Sequence, residues 1–214
     1  MNIIIQNAPY LLKAAGNTLW LSAVSLGISL IFGTAVGVLA AFRFWPVVIL
    51  NQIGVYSVRG IPLLVVLYFI YFSLPLIRVD IDPYSTAVIG LSLYFTFFIS
   101  EVVRGAVISI PRGQIDAGKS IGLSFWSRVR LVILPIASRT AIPPLINVAI
   151  ILVKGTSYAS VISAWELTTA STEVAQRTIA PFQVYGFALF LYFVICFALT
   201  SLARSAERRL GFQH

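Results

Sequence analysis

Charge is scarce in this chain. Aspartate and glutamate together number 7, and charged residues make up 10% of the 214 positions, where a soluble domain carries about a quarter. Cysteine and histidine are scarcer still, with Cys196 and His214 each occurring once. An intrachain disulfide is therefore excluded, and no His/Cys metal site is expected. Cys196 lies in an apolar run and reads as a packing residue. The N-terminus lacks a basic region followed by a small-residue cleavage site, so no removable signal peptide is expected and the first apolar segment would serve as its own insertion signal. What fills the chain instead is oil: 59% hydrophobic residues and a mean hydropathy of +0.95. A soluble fold of that composition would leave much apolar surface in water, so the composition points to a membrane protein in contact with lipid.

A bilayer core needs about 20 apolar residues as helix. Ala14 to Phe42 supplies a first span, with Gly27, Gly33 and Gly37 as candidate close-packing positions. Gly60 to Ile77 gives a second, with Pro62 suited to the first helical turn. Pro83 to Ser100 gives a third, opened by Pro83 in the same way. Thr140 to Val153 is a fourth run, but only fourteen residues separate Arg139 from Lys154, and Pro143-Pro144 is expected to interrupt it. Thr178 to Ala203 is the fifth. The expectation is an all-α membrane protein, a single domain over residues 1–214 with five transmembrane helices.

The formal net charge is +8, but the basic residues gather at helix ends, which points to topology rather than nucleic acid. With the N-terminus outside and five alternating spans, the inner segments hold Arg43, Arg59, Arg104, Arg112, Lys119, Arg128, Arg130, Arg139, Arg204, Arg208 and Arg209. The outer ones hold Lys13, Arg78, Lys154 and Arg177. The positive-inside rule favours this orientation, which puts the C-terminus in the cytoplasm.

The longest charge-rich segment, Glu101 to Pro135, then faces the cytoplasm. Gly113 to Ser120 within it matches G-x-x-x-x-G-K-[ST] letter for letter. A phosphate-cradling loop needs an α/β sheet behind it, and no soluble domain of adequate length is present. A membrane nucleotide-binding enzyme is therefore the weakest of three functional readings.

A different spacing in the same segment carries a resemblance. Asp116-Ala117-Gly118, three residues, Gly122, nine residues, then Val132-Ile133-Leu134-Pro135 is similar to the Glu-Ala-Ala loop of ABC importer permeases. Asp stands for Glu, Gly for the second Ala and Val for Ile. Ser57 to Leu64 resembles the Phe-Arg-Gly-Thr-Pro-Leu-Leu segment of the polar amino acid branch. Glu101, Arg104-Gly105, Ile110-Pro111 and Gly113-Gln114 resemble its Glu-x-x-Arg-Gly … Ile-Pro-x-Gly-Gln run. Pro143 to Asn147, Lys154-Gly155-Thr156-Ser157, Glu166-Leu167 and Glu207-Arg208-Arg209 extend the match over nearly the whole chain.

The resemblance implies a type I ABC importer permease in the cytoplasmic (inner) membrane. It implies coupling helices, within about residues 105–130, that enter a cytoplasmic ABC ATPase present in two copies. A second permease chain, identical or related, and an extracytoplasmic solute-binding protein complete the expected assembly. The chain itself would be no enzyme and hold no cofactor or catalytic residue, with ATP bound by the partner. Asp116, Ala117, Gly118, Ile121, Gly122 and Leu123 are the expected coupling residues, with small Ala117 and Gly118 allowing close approach. Gln114 to Ile121 can make about two turns, ended by Gly122.

For the substrate, the interrupted fourth run is the expected site, because broken membrane helices free backbone groups to bind polar ligands. Thr156, Ser160 and Ser163 recur at helical spacing and are expected to share a face beyond Lys154. Glu166 is the candidate for a substrate amino group, with Trp165 available to stack on a cation. The alternatives for Glu166 are an exposed outer loop or a pair with Lys154. Tyr94 to Phe98 are bulkier than the family pattern and are expected to pack or to narrow the path. Glu101 and Arg104, three residues apart, read as a structural ion pair. The favoured substrate is a polar amino acid. The second reading is an opine, an ectoine-like compound or a sulfur amino acid.

Overall fold

The computed structural model describes the backbone of residues 2–209 and the side chains of 3–205. The side chains of Glu207, Arg208 and Arg209, and all of His214, lie outside the described residues. The described chain is helical, with no strand among those residues. The long helices are α1 (Asn2–Ala41), α4 (Pro83–Ile108), α7 (Leu134–Gly155) and α9 (Pro181–Arg209). Between them lie α2 (Trp45–Gly60), α3 (Leu63–Ser73), α5 (Arg112–Ser120), α6 (Phe125–Arg128) and α8 (Leu167–Thr178). A π turn over Val129–Ile133 leads into α7, and a 3-10 segment over Thr156–Ile162 follows it.

Four stretches are long and apolar enough to cross a membrane: Ile3–Ala41, Pro83–Ile108, Phe125–Ile162 and Pro181–Ser205. The fifth is a broken one, α2 and α3 meeting at 107°. The expected count of five thus holds when the bent pair is one span, but the interruption sits elsewhere than the sequence suggests. Helix α7 runs straight through Pro143 and Pro144. The break falls at Ile61-Pro62, where Pro62 takes extended dihedrals (φ −59°, ψ 139°) ahead of α3 rather than joining its first turn. Freed carbonyls inside a membrane protein need a donor. Tyr94 on α4 supplies it: its hydroxyl donates to Val58 O at 2.9 Å and to Ile61 O at 3.4 Å. Pro83 does open α4, behind an Asp82 cap whose Oδ1 accepts from the N–H groups of Tyr84 and Ser85, both at 3.0 Å.

Helices α1 and α4 form the central seam. A Cβ on Gly33 would lie 2.7 Å from Thr96 O, and one on Gly37 2.5 Å from Ser100 O. Backbone approach of this kind is what small residues permit between membrane helices. Ser29 extends the stripe by donating to Ser92 O at 3.0 Å. Gly27 does not belong to it, since nothing lies near its Cβ position. The middle core joins this seam to α3 and α7 through Leu67, Leu91, Phe95, Ile99 and Leu152. A second cluster ties α1 to α8 and α9 through Leu11, Ala14, Leu167, Val174 and Val184.

Among the described residues, five helix ends carry left-handed residues, at Arg43, Arg78, Gly122, Ser163 and Ile179, and those at Arg43 and Gly122 bear on the sites below. Helix α1 closes in a Schellman motif, with Arg43 N–H to Ala40 O at 3.1 Å and Phe44 N–H to Leu39 O at 3.2 Å. Its left-handed position holds Arg43 (φ 60°). A side chain there costs about 1–2 kcal/mol relative to glycine. Helix α5 closes in the same motif, with Gly122 N–H to Lys119 O at 2.9 Å and Leu123 N–H to Gly118 O at 3.0 Å. Here the left-handed residue is Gly122 (φ 77°), as the position prefers.

Candidate functional site

The charged loop folds into α5, a Schellman turn and α6. Helix α5 begins two residues before the expected Gln114 and ends one before Ile121. Ser124 caps α6 by accepting from Ser127 N–H at 3.2 Å. Asp116 and Ala117 are exposed. The Lys119 ammonium donates to Asp116 at 2.8 Å, and this contact holds the Asp116 carboxyl below its usual range. Gly118 faces inward instead. It is buried, and a Cβ there would meet Arg128 Cγ at 3.3 Å and Leu123 Cδ1 at 3.5 Å. Its smallness serves the turn between α5 and α6 rather than an outside surface. Arg128 closes the turn by donating to Leu123 O at 2.8 Å.

What the turn presents is apolar. Ile121 and Trp126 are each 76% exposed. Trp126 meets the Phe125 ring edge-on at 5.4 Å, and Phe125 in turn meets Phe42 of α1 edge-on at 5.4 Å. The sequence motif pointed to Asp116 through Leu123 and missed Trp126, which lies inside the nine-residue gap that the pattern leaves unspecified. The Gly113–Ser120 run has no strand before it; it is the helix α5 itself. Its backbone N–H groups from Asp116 onward are consumed within the helix, so no phosphate cradle forms.

The second candidate region follows α7. Over Thr156–Ile162 the helix tightens to 3-10 geometry, with three residues per turn instead of 3.6. This changes which side chains share a face. Thr156, Ala159 and Ile162 are buried together. Ser157 and Ser160 are half-buried and Ser163 is exposed, in line with exposed Lys154 one turn back. The expected trio of Thr156, Ser160 and Ser163 is therefore split, and Ser157 takes the place of Thr156. The physical reason is the period: residues four apart coincide on an α-helix but diverge by about a third of a turn on a 3-10 helix. Ser157 and Ser160 donate to the carbonyls of Lys154 and Ser157, both at 2.7 Å. Ser163 ends the segment in the left-handed region (φ 61°).

Glu166 is fully buried, at 0% exposure. It caps α8: Oε1 accepts from Thr169 N–H at 2.8 Å and from Thr169 Oγ1 at 3.3 Å. Oε2 accepts from the Tyr192 hydroxyl at 2.8 Å and faces Thr18 Oγ1 at 3.5 Å. Thr18 Oγ1 in turn accepts from Leu167 N–H at 3.0 Å. Three helices, α1, α8 and α9, thus converge on one carboxylate. It is neither in an exposed outer loop nor paired with Lys154. Lys154 is exposed at the groove between α7 and α9, in a cavity of about 250 Å³ shared with Cys196 and Arg204. Trp165 already has a cation, Lys13 Nζ at 5.9 Å from the ring centroid. Its indole N–H donates to Tyr10 at 2.9 Å, and Tyr10 also contacts Glu173.

Gly155 explains part of the divergent third span. Phe95 is buried against it: a Cβ on Gly155 would lie 3.5 Å from Phe95 Cε2 and 3.1 Å from Leu63 Cδ2. The aromatic of α4 fills the room that a larger residue at 155 would need. Glu101 and Arg104 form the expected pair, doubly joined by Nε to Oε2 at 2.8 Å and NH2 to Oε1 at 2.7 Å.

Residues 10–211 match the family described as "binding-protein-dependent transport system inner membrane component". The chain is 36% identical over 204 residues to the glutamine transport system permease protein GlnP of Escherichia coli (strain K12), covering 94% of this chain and 93% of that one. It is 38% identical over 188 residues to the L-cystine transport system permease protein TcyB of Bacillus subtilis (strain 168), covering 86% and 80%. Its fold superposes with a TM-score of 0.90, at 25% identity and over 96% of each chain, on a solved structure described as an amino acid ABC transporter with histidines.

Proposed function

The chain belongs to the family of inner-membrane components of binding-protein-dependent transport systems, and from that premise we propose how it works. It is the permease component of an amino acid ABC importer, built of apolar helices in the inner membrane. It acts as one permease domain, with the N-terminus outside and the C-terminus in the cytoplasm, a reading supported by the arginine distribution along the chain. Hydrolysis of ATP belongs to a separate cytoplasmic ABC ATPase in two copies, and no cofactor is assigned to this chain. A second permease chain faces it across the path, and an extracytoplasmic solute-binding protein delivers the substrate.

The observation that carries the coupling role is the turn from Asp116 to Trp126. Its helix is closed by Gly122 and its outer edge is apolar, with Ile121 and Trp126 open. Such an edge fits a cleft on a soluble partner. Phe125 against Phe42 links any movement of that edge to α1. The work done is differential binding of two conformations rather than covalent chemistry.

For the substrate we assign direct contact to Lys154, Ser160, Ser163 and Trp165. Lys154 supplies the positive charge that an amino acid carboxylate requires. Thr156 and Glu166 stand behind them: Glu166 fixes the start of α8, and with it the placement of Ser163 and Trp165. The favoured substrate is a polar amino acid. A sulfur amino acid is the second reading, favoured by the similarity to a cystine permease; an opine or ectoine-like solute is a weaker variant of it.

Purification of the tagged chain in mild detergent from native membranes tests the assembly. A stoichiometric soluble ATPase is expected alongside it, and recovery of the chain alone with its own ATP hydrolysis would overturn the reading. Uptake measured over a panel of amino acids and opines then separates the substrates.

A further inference from the structure

The end of α1 opposite its N-terminus borders a cavity of about 360 Å³ that the transport reading does not use. It lies between α1, α2 and α4. Arg43, Asn51, Gln52, Arg59, Glu101 and Arg104 supply its polar lining. Three guanidinium groups therefore face one carboxylate, and that carboxylate is spent on Arg104 through both oxygens. Among the described residues, neither Arg43 nor Arg59 has a carboxylate within ion-pair distance. Glu101 still acts on Arg59 at longer range, so Arg43 and Arg59 share at most one carboxylate that is already doubly bonded to Arg104.

Arg43 carries a second observation. It occupies the left-handed position of the motif that ends α1, where glycine has no steric penalty. The corresponding position after α5 does hold glycine, Gly122. Arg78, Ser163 and Ile179 also take this conformation, so what sets Arg43 apart is its place: of these four it alone lines this cavity. It lines the cavity just past the end of the apolar helix α1.

The surroundings select the anion. Helix α2, which lines the cavity from Val48 to Arg59, also exposes apolar Trp45 (70%) and Ile53 (61%). Arginine binds phosphate oxygens in a fork that lysine cannot match. Basic pockets between helices at a membrane surface take lipid headgroups. We propose that this cavity is a headgroup site for an anionic phospholipid, with the phosphate held by Arg43 and Arg59 and an acyl chain laid along Trp45 and Ile53 of α2. A free phosphate anion would use the same two arginines but gain nothing from the apolar face.

The test uses the full chain in phosphatidylcholine nanodiscs, with phosphatidylglycerol titrated in, and separately with inorganic phosphate. Thermal unfolding and native mass spectrometry read the binding. Phosphatidylglycerol is expected to raise the unfolding midpoint of the wild type, and inorganic phosphate is not. Arg43→Gly suits the backbone, so its midpoint in phosphatidylcholine alone should be equal or higher, while its apparent phosphatidylglycerol affinity falls about fivefold. Arg59→Gln, away from any strained position, should lose about the same, and the double variant about twenty-five-fold. No midpoint shift with phosphatidylglycerol, or an undiminished shift in both single variants, overturns the site. An equal shift from inorganic phosphate alone overturns the lipid as its occupant.

Discussion

The Tyr192 hydroxyl donates to Glu166 Oε2 at 2.8 Å, joining the middle of α9 to the cap of α8. The carboxylate it reaches is the same one that Thr169 and Thr18 surround. Removing either partner leaves a buried polar group short of a bond, which costs about 1–3 kcal/mol. Tyr192→Phe and Glu166→Ala should each lower the detergent unfolding midpoint. Their effects should not add, since both open one network. With uptake corrected for folded protein, Glu166→Gln is expected to weaken apparent affinity by displacing Ser163 and Trp165. An unaltered affinity would remove Glu166 from any role in the site.

Gly122 offers a separation of folding from coupling. No atom lies near its Cβ position, so only its backbone conformation resists substitution. Gly122→Val should insert and assemble but lose most uptake, because α5 no longer closes. Gly113→Ala, with equal space and no strain, should transport as the wild type. Lys119→Ala should do so too, since the exposed Asp116–Lys119 pair contributes little. Loss of nucleotide binding by the isolated chain in Gly113→Ala or Lys119→Ala would instead revive the phosphate-loop match.

The central seam predicts a position-specific response to bulk. Gly33→Leu and Gly37→Leu should destabilise by about 1–3 kcal/mol or more, since the added atoms meet backbone oxygens of α4. Gly27→Ala should be neutral or slightly stabilising. Monodispersity after heating, followed by size-exclusion chromatography, reads this directly.

The 3-10 register predicts thiol accessibility. In a Cys196→Ser background, cysteines at positions 157, 160 and 163 should react with a water-soluble maleimide. Cysteines at 156, 159 and 162 should not. A reactive set of 156, 160 and 163 would restore the α-helical face.

Asp82 gives a signed pH effect. Its hydrogen bonds, first from Ser85 and also from the Tyr84 N–H, hold the carboxyl below its usual range. A depressed folded value stabilises above the unfolded pKa and is lost as pH falls through the folded one. Asp82→Asn keeps an acceptor without charge. The stability gap between wild type and Asp82→Asn should be open at neutral pH and close in acid.

The sequence by itself determined what depends on neighbours along the chain. Composition put it in a membrane, because no packing can hide that much apolar surface from water. The spacing around Asp116 to Pro135 determined the α5 turn, because Gly122 and Ser124 act through bonds only a few residues away. The Glu101–Arg104 pair was legible for the same reason. Tertiary structure decided the rest. A proline breaks a membrane helix only where something else satisfies the freed carbonyls; Tyr94 does so at Pro62, and the chain gives no local sign of it. The 3-10 turn after Gly155 goes with Leu63 and Phe95 pressing on that glycine, residues 92 and 60 positions away. The burial of Glu166 rests on Thr18 and Tyr192, brought from α1 and α9. A carboxylate in an apolar stretch reads as a ligand from sequence, and only the helices packed around it decide whether it faces a path or holds the wall.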